Sequence, residues 1–453
     1  MALRERKVDL PGPRLPALVQ AIAFYARPIE FVEAARRRHG SCFRLDLPPF
    51  GELAYVADPD AIKAVFTGGA DLYRAGQANW VLRPLLGDRS VLLLDGDEHL
   101  AQRRMLLPPF HGDAVRGYAE IVRDATAAEV ETWPLHQPFA VRERMQRVTL
   151  EAIMRAVLGL RDQGRLAALR RLLPRLLDIR GIDLALFTLW PGFADTRLAR
   201  HVRPYSLRRE LDKILDEEIR DRRAGQTGDD VLSLLVAARD EDGRAMTDRE
   251  LRDELMTLLV AGHETTATGL AWAFERLSRH PSVLARLYDE IDAGESTDYL
   301  DAVCKETLRV RPVIQDVMRV VTRPVEIGGG RVEAGSMVLP AIELAHLDPQ
   351  TYDDPAAFRP ERFLGVKPGT YTWLPFGGGP RRCIGAAFAL MEMKVVLATA
   401  LERIRLATTS APGERQQVKH VTLVPSSGAR IAVAERRAVR PASDVRVPAG
   451  AAA

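Results

Sequence analysis

Between about residues 98 and 310, apolar side chains recur three and four positions apart, the spacing of helices with one buried face. The clearest stretch is "TDRELRDELMTLLVAGHETTATGLAWAFERLSRH". Thr247 and Glu250 have capping-box spacing at its start, and the pattern runs to about Arg279, ahead of Pro281. At roughly 1.5 Å per residue this predicts a rod about 50 Å long. Polar residues are few in its middle, which places the centre of the rod in the interior. Strand-like pieces are short and gather toward the two ends of the chain. "CFRLDL" with "LAYVAD" reads as a hairpin, as do "PVEIGGGRVEAGSMVLP" and "IRLATT" with "HVTLVP". Runs of helix with small segregated sheets indicate a mainly α, α+β fold, not alternating βαβ units. With no internal repeat and no glycine-serine linker, residues 1–432 read as one domain. Residues 433–453, ending "RPASDVRVPAGAAA", read as a low-complexity, disordered tail.

Composition changes this picture little. Of 453 residues, 47% are hydrophobic and 28% charged, an ordinary globular balance with material for a large core. The formal charge is only +3, and most basic residues alternate with acids along helices, so nucleic-acid binding has little support. The tight run Arg36, Arg37, Arg38 reads as a solvated helix end. No apolar run reaches the roughly 18 to 20 residues of a spanning helix, so no transmembrane segment is expected. "MALRERKVDLPGPRLP" is charged and then broken by prolines, unlike a signal peptide or an anchor. The amphipathic "LPALVQAIAFYARPIEFV" reads as a packed helix ahead of one resting on a membrane surface. Cys42, Cys304 and Cys383 are odd in number and far apart, which argues against a disulfide framework and fits a cytoplasmic protein.

The third cysteine sits in "PFGGGPRRCIG", residues 375–385, between a glycine-rich turn and an apolar helical stretch. A structural zinc site needs further Cys or His ligands nearby, and a redox dithiol needs Cys-x-x-Cys; neither is present. Two chemistries remain. A helix beginning at Cys383, with Arg381 and Arg382 beside it, would favour a nucleophilic thiolate. Equally, a thiolate is a strong donor to iron, and N–H groups of a glycine-rich turn can hydrogen-bond its sulfur.

The loop resembles the haem-ligand loop of the cytochrome P450 family, the haem-thiolate monooxygenases. Phe376, Gly379, Arg381, Cys383 and Gly385 fill its pattern without departure. That resemblance implies haem b with Cys383 as the axial thiolate and O2 as co-substrate. It also implies a triangular, α-rich monooxygenase fold with the haem between the long helix and the Cys383 helix. "AGHETT", residues 261–266, is not a zincin motif, because Ala267 stands where a second His is required. In the family this segment crosses the open face of the haem. Ala261 and Gly262 would leave space there, Thr265 would bond back to the carbonyl of Ala261, and Glu264 with Thr265 would relay protons. Glu306 and Arg309 in "ETLR", with Arg362 in "PERF", resemble the family's buried Glu-Arg-Arg network, which holds the cysteine loop. His99, Arg103, Arg319 and Arg381 stand where the family binds the two haem propionates. The resemblance covers about Pro11 to Val424.

The implied reaction inserts one oxygen atom from O2 into a lipophilic molecule, by hydroxylation or epoxidation, a fatty acid, alkane or terpenoid being the expected class. The triple glycine 328–330 lacks the βα context of a dinucleotide site, so electrons must come from a separate ferredoxin or flavodoxin and its reductase. Arg104, Arg116, Arg123 and Lys394 are candidates for a basic docking patch. Substrate contacts are expected from 73–90, 180–200, 255–261, 313–318 and the turn after Val424. The apolar "GIDLALFTLWPGF" reads as a lid, and Gln315 and Asp316 read as a hydroxyl anchor or as a cap on a backbone turn. A monomer is expected. Two other readings stay open: a peroxygenase or other haem-thiolate enzyme that does not use O2, and a non-enzymatic haem sensor or carrier.

Overall fold

The computed structural model describes residues 8–160, 162–178, 196, 202–226 and 228–438. Helices form its bulk, and the strands form small separate sheets. The long helix spans Asp248–Arg279. Thr247 accepts the N–H of Glu250 and the Glu250 carboxylate accepts that of Thr247, so two orphan donors of the first turn are satisfied. Its buried residues run all round the second half, from Thr266 to Ser278, with Trp272 and Phe274 fully enclosed. Such a helix is stable only as the central rod of a helical core. It packs along the Val141–Leu158 helix on one side, and Met393 of the Ala386–Arg403 helix comes up to its Gly269 on the other. The indole N–H of Trp272 donates to Leu423 O at 2.9 Å, pinning the rod to a C-terminal hairpin.

The terminal strands are joined more widely than local hairpins suggest. Cys42–Leu47 and Gly51–Val56 do form an antiparallel hairpin, but its second strand pairs in parallel with Met337–Pro340. Arg319–Val321 and Tyr73–Arg74 complete a five-stranded sheet. Only Val325–Ile327 and Gly330–Val332 of the expected "PVEIGGGRVEAGSMVLP" hairpin pair with each other. "IRLATT" does not pair with "HVTLVP". Ile404–Leu406 pairs with Val433–Arg436, whereas Thr422–Pro425 pairs with Gln416–Lys419. The expected tail therefore begins too early: its first residues are a strand that closes over Ile404–Leu406. Residues 439–453, and "GIDLALFTLWPGF" at 181–193, lie outside the described residues.

Candidate active site

One cavity of about 1370 Å³ runs through the core, and the residues named from the sequence as catalytic, haem-binding or iron-ligating line it: His99, Arg103, Ala261, Glu264, Thr265, Arg319, Phe376, Arg381, Cys383 and Gly385. Its upper wall is the middle of the long helix. Ala261 is exposed midway along an otherwise mostly buried rod because it faces this space. Thr265 Oγ1 donates to Ala261 O at 2.6 Å, and Thr149 Oγ1 donates to His263 O at 2.9 Å. Hydroxyls that bond helix carbonyls compete with the backbone ladder and loosen that turn. Gly262 lines the same cavity, and it has a second part: a Cβ there would come within 2.9 Å of Ile153 Cδ1, so this glycine also lets two helices approach closely.

The opposite wall is the 375–385 loop. Cys383 N–H donates to Phe376 O at 2.9 Å, closing the loop upon itself. Gly379 has φ +63°, and a Cβ would stand 2.0 Å from Phe66 O, so only glycine fits this turn. The helix begins at Ala386, with Gly385 as its N-cap, three residues later than the sequence suggests. Cys383 thus precedes the helix and turns its sulfur to the cavity, the space to which it is accessible. Burial pushes the thiol up, while the Gly385 N–H and the Arg103 and Arg382 guanidinium groups pull it down. Beside it, a Cβ on Gly377 or Gly385 would meet nothing within 4 Å. The room in front of the sulfur is the room a flat ligand requires.

At the edge of the cavity four donors converge. His99 and Arg103 come from one face of the Gly96–Leu106 helix, Arg319 from a strand and Arg381 from the loop. Burial, then the charges of Arg381, Arg103 and Arg319, push the His99 pKa down to about 3. Burial and like charge also lower Arg319 and Arg381 to about 10. Asp95 offsets part of this, accepting from Arg381 at 2.7 Å, and Arg381 also donates to the carbonyls of Val91 and Leu94. One carboxylate cannot balance three converging guanidinium groups, Arg319 buried and Arg103 and Arg381 half-buried, so the edge is built for anionic charge brought by a ligand. A single thiol, open space before it and a cationic rim match the chemistry of haem, which carries iron and two carboxylates. Among the described residues, no group of three or more His, Cys, Asp or Glu is placed to hold a bare metal ion.

Behind the loop lies a polar network. Glu306 and Arg309 are fully buried and joined by two bonds, at 2.7 and 2.8 Å, and Arg362 Nε lies 3.4 Å from Glu306. Arg309 also donates to the carbonyls of His346, Pro355 and Ala357, so it fixes the stretch leading to the cysteine loop.

Glu264 is not free in the cavity. The Arg142 guanidinium and the Gln146 amide, the latter at 2.7 Å, hold its two oxygens. Sequence reasoning missed both partners. Their one signal is an i,i+4 polar pair on the inward-turning side of the Val141–Leu158 helix. Of the expected substrate segments, 73–90 contributes Leu82, Leu85 and Leu86, 255–261 contributes Leu258 and Val260, and 313–318 contributes Val313, Ile314 and Val317. The turn after Val424 does not reach the cavity; residues 419–422 of the same hairpin do. Gln315 and Asp316 point elsewhere. Asp316 is half-buried beside Tyr55, whose hydroxyl donates to it at 3.4 Å, and it does not line this cavity, so it does not anchor a ligand there. In the expected docking patch of Arg104, Arg116, Arg123 and Lys394, Arg104 pairs with Glu241 and Lys394 with Asp301, and Arg116 also has a partner.

Comparison with known proteins gives consistent results. A family model described as Cytochrome P450 matches residues 10–432. A Mycobacterium tuberculosis H37Rv protein provisionally named cytochrome P450 135B1 is 50% identical over 439 residues, covering 95% of this chain and 92% of its own. One provisionally named cytochrome P450 138, from the same strain, is 40% identical over 430 residues, covering 94% and 96%. Among solved structures, the cytochrome P450DA heme domain superposes with a TM-score of 0.80 at 26% identity, covering 96% of this chain and 99% of that one. Retinoic acid-bound cyanobacterial CYP120A1 superposes with a TM-score of 0.80 at 22% identity, covering 95% and 100%.

Proposed function

The chain belongs to the cytochrome P450 family, and from that premise we propose that it binds haem b through Cys383 and oxygenates a lipophilic small molecule. The family's activity is haem-dependent monooxygenation. For a hydroxylation, the substrate C–H, O2, two electrons and two protons give an alcohol and water. The observation that carries the reading is one cavity with Cys383 on one wall, Ala261 and Thr265 on the other, and four donors at its rim. When bound, haem supplies the activation of O2, and thiolate ligation favours O–O cleavage.

The chain's own groups do the rest. His99, Arg103, Arg319 and Arg381 neutralise and orient the two haem carboxylates. Gly385 N–H donates toward the Cys383 sulfur, and Arg103 and Arg382 add positive charge, which together stabilise the thiolate. Thr265 gives its own proton to Ala261 O, so its oxygen lone pairs are available to accept from a donor in the cavity. Glu264 is the proton supplier, and it delivers only after leaving Arg142 and Gln146. Glu264→Gln is expected to slow product formation about 100-fold while leaving the ligand-induced spin-state shift at the parental concentration dependence. Loss of that shift instead would assign Glu264 to substrate binding.

The leucine, valine and isoleucine lining selects apolar substrates such as fatty acids, alkanes or terpenoids. Electrons come from a ferredoxin or flavodoxin with its reductase, and the protein works as a cytoplasmic monomer. Turnover of a compound selected by spin-state shift, under heavy-isotope O2 with a ferredoxin system, tests the reading. The product must carry one labelled oxygen. A product without label, or peroxide-driven turnover exceeding that with the partner, would favour the peroxide-using alternative.

A further inference from the structure

Within the haem-binding reading above, the cysteine loop needs a fixed position, and the buried Glu306–Arg309 pair does not touch it. The gap is bridged by His346, at the end of the short Ile342–His346 helix. His346 is completely buried, and both of its polar ends are engaged in the same path. Its carbonyl accepts from Arg309 Nη1 at 2.8 Å, and its Nε2 accepts the backbone N–H of Leu374 at 2.7 Å. Leu374, itself fully buried, passes the restraint on: its carbonyl accepts Gly377 N–H at 2.9 Å, which forms the turn into the loop. Phe376, within that turn, accepts the N–H of Cys383 at 2.9 Å. The path Glu306, Arg309, His346, Leu374, Phe376, Cys383 is therefore continuous through hydrogen bonds and two peptide units.

We propose that His346 is a positioning residue, its Nε2 lone pair setting the height of the Cys383 loop by capturing the Leu374 amide. The geometry dictates its protonation. Nε2 accepts from an N–H, so the ring proton sits on Nδ1, and a doubly protonated ring would break the bond. Burial and the neighbouring Arg309 charge keep the ring neutral. Nδ1 is buried without a partner, so the protein tolerates an unsatisfied donor to keep the acceptor at this place. Neighbouring restraints act differently. Tyr352 OH donates to Thr372 O at 2.9 Å and Trp373 Nε1 to Lys305 O at 3.2 Å, which hold the approach to the loop but not Leu374.

Two variants separate positioning from general stability. Gln at 346 can present its amide oxygen near the place of Nε2, whereas Leu fills the volume with no acceptor. In His346→Leu, haem transfer to excess apomyoglobin is expected to be roughly 10- to 100-fold faster, the range for losing an outer-shell partner of a metal ligand. Fast hydrogen exchange should appear at the Leu374 amide while the long helix stays protected. His346→Gln should restore both to near the parental values. Equal haem loss in the two variants, or a Leu374 amide that stays protected in His346→Leu, overturns the assignment. A parent protein that takes up no haem overturns the haem reading itself and this inference with it, an outcome readily told apart from the other two.

Discussion

An added methyl group meets opposite surroundings at Gly379 and Gly385. At Gly379 it strikes the Phe66 carbonyl, and the backbone already has a positive φ that side chains disfavour. At Gly385 it enters open cavity from an ordinary backbone conformation, φ −83°. Gly379→Ala should therefore destabilise the protein without haem, and Gly385→Ala should leave that form intact while weakening haem binding. Thermal unfolding of both apo-variants, followed by haem titration, checks this; equal destabilisation of the two would contradict it. Glu254 makes a separate prediction. One oxygen accepts from Val91 N–H at 2.6 Å and Gln102 at 2.8 Å, the other has no partner, and burial pushes the pKa up to about 8. The carboxyl is thus protonated when folded at neutral pH, but ionised in the unfolded chain above its ordinary value of 4.5. Folding takes up a proton across that window, so this group's contribution falls by about 1.4 kcal/mol per pH unit as pH rises. The fall levels off above the folded pKa. Glu254→Gln should flatten the dependence by that slope, read from denaturant unfolding at several pH values; an unchanged slope would mean Glu254 is ionised in the fold.

Between elements, the decisive joint is the Glu306–Arg309 pair, buried where its helix, Asp298–Val310, meets the Pro360–Phe363 turn. Arg309→Ala leaves the Glu306 carboxylate buried without its main partner, a loss of about 3 to 5 kcal/mol. Low haem content together with a lowered unfolding midpoint is the expected result; a fully haem-loaded, equally stable variant would show the pair to be dispensable. This joint was legible as an i,i+3 pair followed by an arginine in the right order. The long helix was legible almost to the residue, because its capping box and the following proline are local signals. Strand partners were not. Ile404–Leu406 is too short for its alternation to specify a register, and its true partner, Val433–Arg436, lay in what reads as tail. Likewise the start of the last helix was misplaced by three residues, because Gly385 caps it where the apolar pattern begins earlier.

At the scale of the whole molecule, the motifs named the walls of the cavity but not what holds them. Arg142 reaches Glu264 across 122 positions, Asp95 reaches Arg381 across 286, and His346 reaches Leu374 across 28. Each works through an ionic or backbone contact created only by folding, so no spacing in the chain announces it. Residues such as Cys383 and Thr265 were legible for the converse reason: their chemistry constrains their immediate neighbours, the glycine turn and the preceding Ala261. The central claim is that these walls enclose a thiolate-ligated haem. Its most direct test is the absorption spectrum of the reduced protein with carbon monoxide, taken beside Cys383→Ala. A strongly red-shifted Soret band in the parent, absent from Cys383→Ala, is the predicted result. A parent that binds no haem, or the same unshifted band in both folded proteins, would contradict it.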